Sequence, residues 1–163
     1  MKGNSDMDAS VQKLLSRLRN QCSKREYCSS DIMEKALKVL DGDEAAAGEV
    51  LASLKVDRYV DDRRYCSAYA REKSAISGWG EVKIRYMLAH KGIAREDIDA
   101  GLAEIDYAGA AARLDRLLAV KMKALAEDPQ RKLKLLRFAL GRGYQYDEVS
   151  SVLKRLENME DGD

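Results

Sequence analysis

The sequence predicts an all-α fold, organised as three tandem three-helix repeats in an elongated, curved array. Three observations predict it. Apolar residues recur at helical spacing along nearly the whole chain. One proline in 163 residues and few β-branched side chains leave good helix formers dominant, so almost no strand is expected. Nine periodic stretches group in threes, and the second and third triplets align without a gap at an offset of 51 residues.

The stretches follow in order. Val11, Leu14, Leu15 and Leu18 mark a first helix that Ser10 can cap. Ile32, Ala36, Leu37 and Leu40 mark a second, capped by Ser29 or Ser30 and broken at Asp41-Gly42-Asp43. Val50, Leu51 and Leu54 mark a third. Asp61 caps a fourth, with Tyr65, Ala68, Tyr69 and Ile76 along one face. The fifth follows Gly78-Trp79-Gly80, carries Ile84, Met87 and Leu88, and ends where Gly92 accepts a left-handed backbone cheaply. Ile98, Leu102 and Ile105 mark the sixth. The seventh is long, with Leu114, Leu117, Leu118, Met122 and Leu125. Asp128-Pro129 opens the eighth, Asp as cap and Pro where its missing N–H costs nothing. Leu133, Leu136, Ala139 and Leu140 line that helix, which ends before Gly143. Val149, Val152, Leu153 and Leu156 mark the ninth.

In the repeat, Lys91-Gly92-Ile93 falls on Arg142-Gly143-Tyr144 and Lys83 on Lys134. The first triplet fits less well. Its second helix requires an offset of 52 and its third an offset of 48, so it reads as diverged around an Ala45-Ala46-Ala47 turn. The expected boundaries are a disordered start (1–9), repeats at 10–58, 59–106 and 107–157, and a frayed acidic tail (158–163). Units of this size bury little apolar area alone and must share surface with neighbours.

A formal net charge of +1 and a pI near 7.6 are low for a free duplex-DNA binder, so any nucleic-acid role must rest on local charge. Charge is indeed uneven: residues 127 to 142 carry Arg131, Lys132, Lys134, Arg137 and Arg142 against Glu127 and Asp128. No stretch approaches the roughly 20 apolar residues that span a bilayer. The first ten residues lack the apolar core of a signal peptide, so the three cysteines are expected as reduced thiols in the cytoplasm.

No set of nucleophile, base and oxyanion donors is recognisable. Asp61 and Asp62 open a helix, where carboxylates cap free N–H groups and favour the positive dipole end, so they read as structural. Trp79 reads as an anchor between helices, with base stacking the weaker alternative. Tyr65 and Tyr69, four apart, read as core. Phe138 and Tyr144 flank basic residues and stay open. Cys22, Cys28, Cys66 and His90 lack the spacing of a zinc site, and Gly78 and Gly80 lack the strand and Lys-Ser/Thr of a phosphate loop.

The strings YVDDRRYCSAYAREK, GWGEVKIRYMLAHKGI and EDPQRKLKLLRFALGRGYQYDEV resemble the RecX family of recombination regulators. The similarity covers roughly residues 11 to 156 and is sharpest in the middle unit, with its Asp-Asp pair, Tyr65, Tyr69 and Gly-x-x-Lys-Ile frame. It departs in the first unit, where an Ala-rich, acidic stretch replaces the Gly turn. The resemblance implies three tandem three-helix repeats, no enzymatic activity and no cofactor. It also implies binding to the RecA–DNA filament groove that limits ATP hydrolysis and strand exchange, within recombination, DNA repair and the SOS response.

On that reading the contacts to the RecA filament, and to single- or double-stranded DNA, fall to Arg71, Lys73, Lys83, Arg85, Lys91, Arg131, Lys132, Lys134, Arg137 and Arg142. Asp61, Asp62, Tyr65, Tyr69, Trp79, Gly92 and Gly143 are structural, no metal is held, and a monomer with no membrane contact is expected. The alternatives are a stand-alone helical DNA-binding protein and a helical-repeat scaffold for another protein partner.

Overall fold

In the computed structural model the chain is described from Lys2 to Gly162, with side chains from Asp8 onward. Its elements are α1 (Lys2–Lys24), α2 (Ser29–Val39), α3 (Glu44–Val56), α4 (Asp62–Ala75), α5 (Glu81–His90), α6 (Arg95–Leu102), α7 (Tyr107–Ala124), α8 (Arg131–Gly141) and α9 (Tyr146–Asp161). Among the described residues all regular structure is helical, and the fold is an all-α helical repeat. Glu44, Arg95 and Tyr146 open α3, α6 and α9 at equal spacings of 51 residues.

The residues divide into two compact units, each assembled from two stretches of chain. One comprises Met1–Ala68 and Leu88–Gly101, the other Tyr69–Met87 and Leu102–Asp163. In the first, Leu14, Leu15 and Leu18 of α1 pack with Ile32 and Ala36 of α2 and Ala47, Val50 and Leu54 of α3. In the second, Leu114, Leu118 and Met122 of α7 pack with Leu135 and Ala139 of α8 and Val149, Val152 and Leu153 of α9. Each helix contributes residues three or four apart, the stripe that turns inward at 3.6 residues per turn.

Several expectations are corrected. Helix α1 begins at Lys2, not after Ser10. Nothing in residues 2–9 forbids helix, and each residue added to a formed helix gains one hydrogen bond. Residues 2–9, expected as a disordered start, lie within the bounds of α1, and Met1 lies outside the described residues. The N-cap of α2 is Cys28, not Ser29 or Ser30. Asp31 accepts from the Cys28 N–H at 3.2 Å, which fixes the start one residue earlier.

Ala45, Ala46 and Ala47 form the first turn of α3, not a loop. Alanine is the strongest helix former, and Asp43 caps it by accepting from the Ala46 N–H at 3.1 Å. The reversal lies at Asp41 and Gly42, with φ of 52° and 82°, so the first unit retains its glycine turn.

Helix α4 stops at Ala75, leaving Ile76 outside it and exposed. In α8 the buried stripe is Leu135 and Ala139, while Leu133 and Leu140 are exposed. The N-cap of α8 is Gln130; Asp128 precedes it in a turn and accepts from the Gln130 N–H at 2.8 Å. The acidic end is helical to Asp161, with Glu157 and Glu160 paired to Lys132 and Arg131 of α8. Asp163 lies outside the described residues.

Candidate interaction surfaces

The opening of α4 is a polar clasp. Asp61 accepts from the Arg64 N–H at 3.1 Å, capping the helix. Asp62 turns to α2, accepting from the Ser29 N–H at 2.7 Å and the Ser29 hydroxyl at 2.9 Å. Both carboxylates are occupied by donors of their own unit.

Lys91 sits at the end of α5, one residue before Gly92, whose φ is 73°. Its ammonium donates to Asp31 at 3.1 Å and lies 5.7 Å from the centre of the buried Tyr65 ring. The two side chains are only 31% and 21% exposed. Burial alone would lower the Lys91 pKa, but the Asp31 hydrogen bond and the neighbouring Tyr65 and Asp31 raise it above the ordinary lysine value. Burial also pushes Asp31 up, yet hydrogen bonds from Cys28 and Lys91 hold it below the ordinary carboxylate value. Burial raises the Tyr65 phenol to about 12. Lys91 is thus engaged in an internal ion pair, a reason to rank it below the other cations as an outward contact.

A second cluster gathers around Trp79, which follows α4. The Lys73 and Lys83 ammoniums lie 4.8 and 4.4 Å from its ring centre. Tyr69 meets it edge-on, with centroids 6.4 Å apart, and Lys73 also lies 5.5 Å from the Tyr69 ring. The negative face of an indole attracts cations, so Trp79 gathers two positive charges without a carboxylate. Neither lysine makes an ion pair among the described residues.

Beside it the chain crosses the end of α8. The Gly80 N–H donates to the Arg142 carbonyl at 2.7 Å and the Val82 N–H to the Gly143 carbonyl at 3.0 Å. The Tyr144 hydroxyl donates to the Gly78 carbonyl at 3.1 Å, and the Arg142 guanidinium to the Ser77 carbonyl at 3.2 Å. A Cβ on Gly80 would stand 2.4 Å from the Gly143 oxygen, and one on Gly143 would stand 2.3 Å from the Lys83 Cβ. Gly143 also has φ of 94° and closes α8: its N–H donates to the Leu140 carbonyl, and that of Tyr144 to the Ala139 carbonyl. Glycine at both positions is therefore a condition of backbone meeting backbone.

The remaining cations differ in their freedom. Arg85 pairs with Glu81 at 3.4 Å, Arg131 with Glu160 at 3.1 Å and Lys132 with Glu157 at 3.9 Å. Lys134 pairs with Asp128, which that contact and the Gln130 N–H hold below its ordinary pKa. Such exposed pairs are weak and exchangeable. Arg71 is exposed on α4. Arg137 is exposed on α8 and makes no ion pair among the described residues.

Sequence reasoning missed Lys121, whose ammonium lies 3.6 Å from the Phe138 ring centre, and Arg113, which donates to Ser74 at 3.2 Å. Both meet partners on another helix, which periodicity within one helix does not reveal. Among the described residues no three His, Cys, Asp or Glu side chains come together as a metal-binding group. No described helix is long and apolar enough to cross a membrane.

A family model described as "RecX, second three-helix domain" matches residues 61–102. The chain is 32% identical over 122 residues to the regulatory protein RecX of Clostridium botulinum (strain Eklund 17B / Type B), covering 72% of this chain and 57% of that protein. It is 26% identical over 125 residues to the regulatory protein RecX of Streptococcus pneumoniae (strain Hungary19A-6), covering 77% of this chain and 48% of that one. The chain thus spans about half the length of the curated relatives it matches.

Two solved structures share the fold. A crystal structure of RecX from Lactobacillus salivarius superposes with a TM-score of 0.80 at 20% identity, covering 92% of this chain and 98% of that one. A crystal structure of regulatory protein RecX gives 0.79 at 24% identity, covering 91% and 74%.

Proposed function

We propose a function on the premise that this chain belongs to the RecX family: it is a non-catalytic, mainly inhibitory modulator of the RecA recombinase, acting in the cytoplasm. It binds the groove of the RecA–DNA filament and limits ATP hydrolysis and strand exchange. Three repeats, at residues 10–58, 59–106 and 107–157, supply successive weak contacts whose sum gives avidity.

The observation that carries the reading is the Trp79 cluster. Lys73 and Lys83 hold two charges uncompensated by carboxylate beside Trp79 and Tyr69. Cations of this kind release counterions on meeting phosphate, or pair with carboxylates of a protein surface. Arg137 adds a third such charge, and Arg71, Arg85, Arg131, Lys132, Lys134 and Arg142 broaden the basic surface. Lys91 contributes least, being paired with Asp31.

The test is the DNA-dependent ATPase of RecA. Inhibition is expected at stoichiometric or lower amounts of the chain, weakening as salt rises. Lys83→Glu combined with Arg137→Glu is expected to relieve it and flatten the salt dependence. No effect of the unaltered chain on ATP hydrolysis defeats the reading. Full inhibition by the double variant defeats the assignment of the surface. A gel shift without RecA separates the alternative of a stand-alone DNA binder, for which tight, sequence-dependent binding is required.

A further inference from the structure

The unit formed by Tyr69–Met87 and Leu102–Asp163 carries a second surface that shares no residue with the Trp79 cluster. It is an open groove of about 620 Å³ along α7. Its apolar lining comes from Ile76, Leu117, Val120, Ala124 and Phe138. Ile76 and Val120 are 81% and 71% exposed, two aliphatic side chains left in water beside one groove. Within α7, Arg113, Leu117, Val120 and Ala124 fall at i, i+4, i+7 and i+11, a single stripe about 16 Å long.

The charged lining has one sign. Arg113, Arg116, Lys121 and Arg142 border the groove, and no carboxylate does. Arg113 and Arg142 donate to neutral oxygens, Ser74 Oγ and the Ser77 carbonyl. None of the four makes an ion pair among the described residues, so the charge stays uncompensated. The chain balances its charge elsewhere, with a net of only +1, which makes four unpaired cations around one apolar strip a local feature.

The chemistry of the strip selects between occupants. The one aromatic ring, Phe138, already carries Lys121 at 3.6 Å and Arg142 at 4.8 Å from its centre. The surface left open is aliphatic, which suits leucine- or methionine-type side chains and not stacked bases. We propose that this groove docks an acidic amphipathic helix of a partner protein. Apolar anchors at i, i+3 or i+4, and i+7 lie along Ile76, Leu117 and Val120. Flanking Asp and Glu residues meet Arg113, Arg116, Lys121 and Arg142. The proposal does not depend on the filament reading: of its residues only Arg142 also belongs to that basic surface, and its ligand chemistry is different.

Three fluorescein-labelled synthetic helical peptides test it against the full chain by fluorescence anisotropy. One carries leucines at i, i+3, i+4 and i+7 with glutamates between them, the second replaces the glutamates with lysines, and the third replaces the leucines with serines. Saturable binding of the first alone is expected, weakened but not abolished by salt. Val120→Glu and Arg116→Glu are each expected to weaken it at least about tenfold, Val120→Glu by placing a carboxylate against the apolar anchors. Both positions are exposed, and unchanged circular dichroism verifies that the variants fold. Equal binding of the serine peptide overturns the proposal, because the surface is then a general anion patch. So does unchanged binding by Val120→Glu. A single-stranded oligonucleotide that displaces the peptide, binds more tightly than it and is weakened by Val120→Glu assigns the groove to nucleic acid. Light scattering that shows a dimer broken by Val120→Glu, with no peptide binding, assigns it to a second copy of the chain.

Discussion

Alanine at Gly143 probes the backbone clasp between Gly80 and the end of α8. Three glycines separate the two penalties involved. Gly92 has φ of 73° and nothing within 4 Å of an added Cβ, so Gly92→Ala incurs strain alone, about 1 kcal/mol. Gly80→Ala incurs crowding alone: its Cβ would stand 2.4 Å from the Gly143 oxygen and 2.6 Å from the Tyr144 nitrogen. Backbone cannot step aside as a side chain can, and overpacking of this kind costs about 1–3 kcal/mol. Gly143→Ala incurs both, with φ of 94° and contacts of 2.3 and 2.5 Å to the Lys83 Cβ and nitrogen, for about 2–4 kcal/mol.

The expected order of urea midpoints is therefore the unaltered chain, Gly92→Ala, Gly80→Ala, Gly143→Ala. Trp79 is the sole tryptophan and lies beside the clasp, so its fluorescence follows unfolding there, with far-ultraviolet circular dichroism as the second probe. The Gly80→Ala/Gly143→Ala double variant is expected to lose less than the two single losses combined, because one separation of the chains at the crossing relieves the crowding that both impose. Equal destabilisation by Gly143→Ala and Gly92→Ala refutes the reasoning, since the crossing then imposes nothing beyond the turn.

Three further outcomes follow from the geometry. Asp31→Asn removes the acceptor of Lys91 and is expected to cost about 2 kcal/mol at pH 7. Because the folded pKa of Asp31 is lowered, its stabilisation is present above the unfolded value near 3.8 and fades as pH falls through the folded one. Lys91, raised, keeps its share until pH climbs past the ordinary lysine range, so from neutral pH downward the deficit shrinks as Asp31 protonates, and a constant deficit down to pH 2 contradicts the pairing. Cys28 and Cys66 are fully buried, and burial raises the Cys66 thiol to about 12. Iodoacetamide at pH 8 should therefore label Cys22 first and the other two only in denaturant, as mass spectrometry of the peptides reads. Lys83→Met is expected to shift Trp79 emission and lower stability by about 0.5–1 kcal/mol. An unchanged spectrum removes the lysine from the ring.

The stripes of α2 and α7 were legible because their apolar residues admit only one helical face. In α8 the residues Leu133, Leu135, Leu136 and Leu140 admit two, and only packing against α7 and α9 selects Leu135 with Ala139. Glycine at 92 and 143 was readable from helix-end chemistry, whereas the crossing of Gly80 over Gly143 joins segments far apart in sequence. The same limit hid the partner of Lys91, which lies 60 residues away on α2. The lysines around Trp79 were readable as basic, but that they converge on its ring is a tertiary fact. Ile76 was misplaced because its spacing fits α4, while the helix ends one residue earlier.

The two compact units interleave along the polypeptide: α4 begins in one and finishes in the other, and α5 returns in the opposite sense. The first unit lies wholly within residues 1–101, whereas the second draws stretches from both sides of Leu88–Gly101, so no uninterrupted fragment carries the second without part of the first. A truncation after residue 106 keeps both stretches of the first unit but strands Tyr69–Met87 without α7, α8 and α9. Melting begun in either half thus has three covalent routes into the other, through α4, α5 and the end of α6.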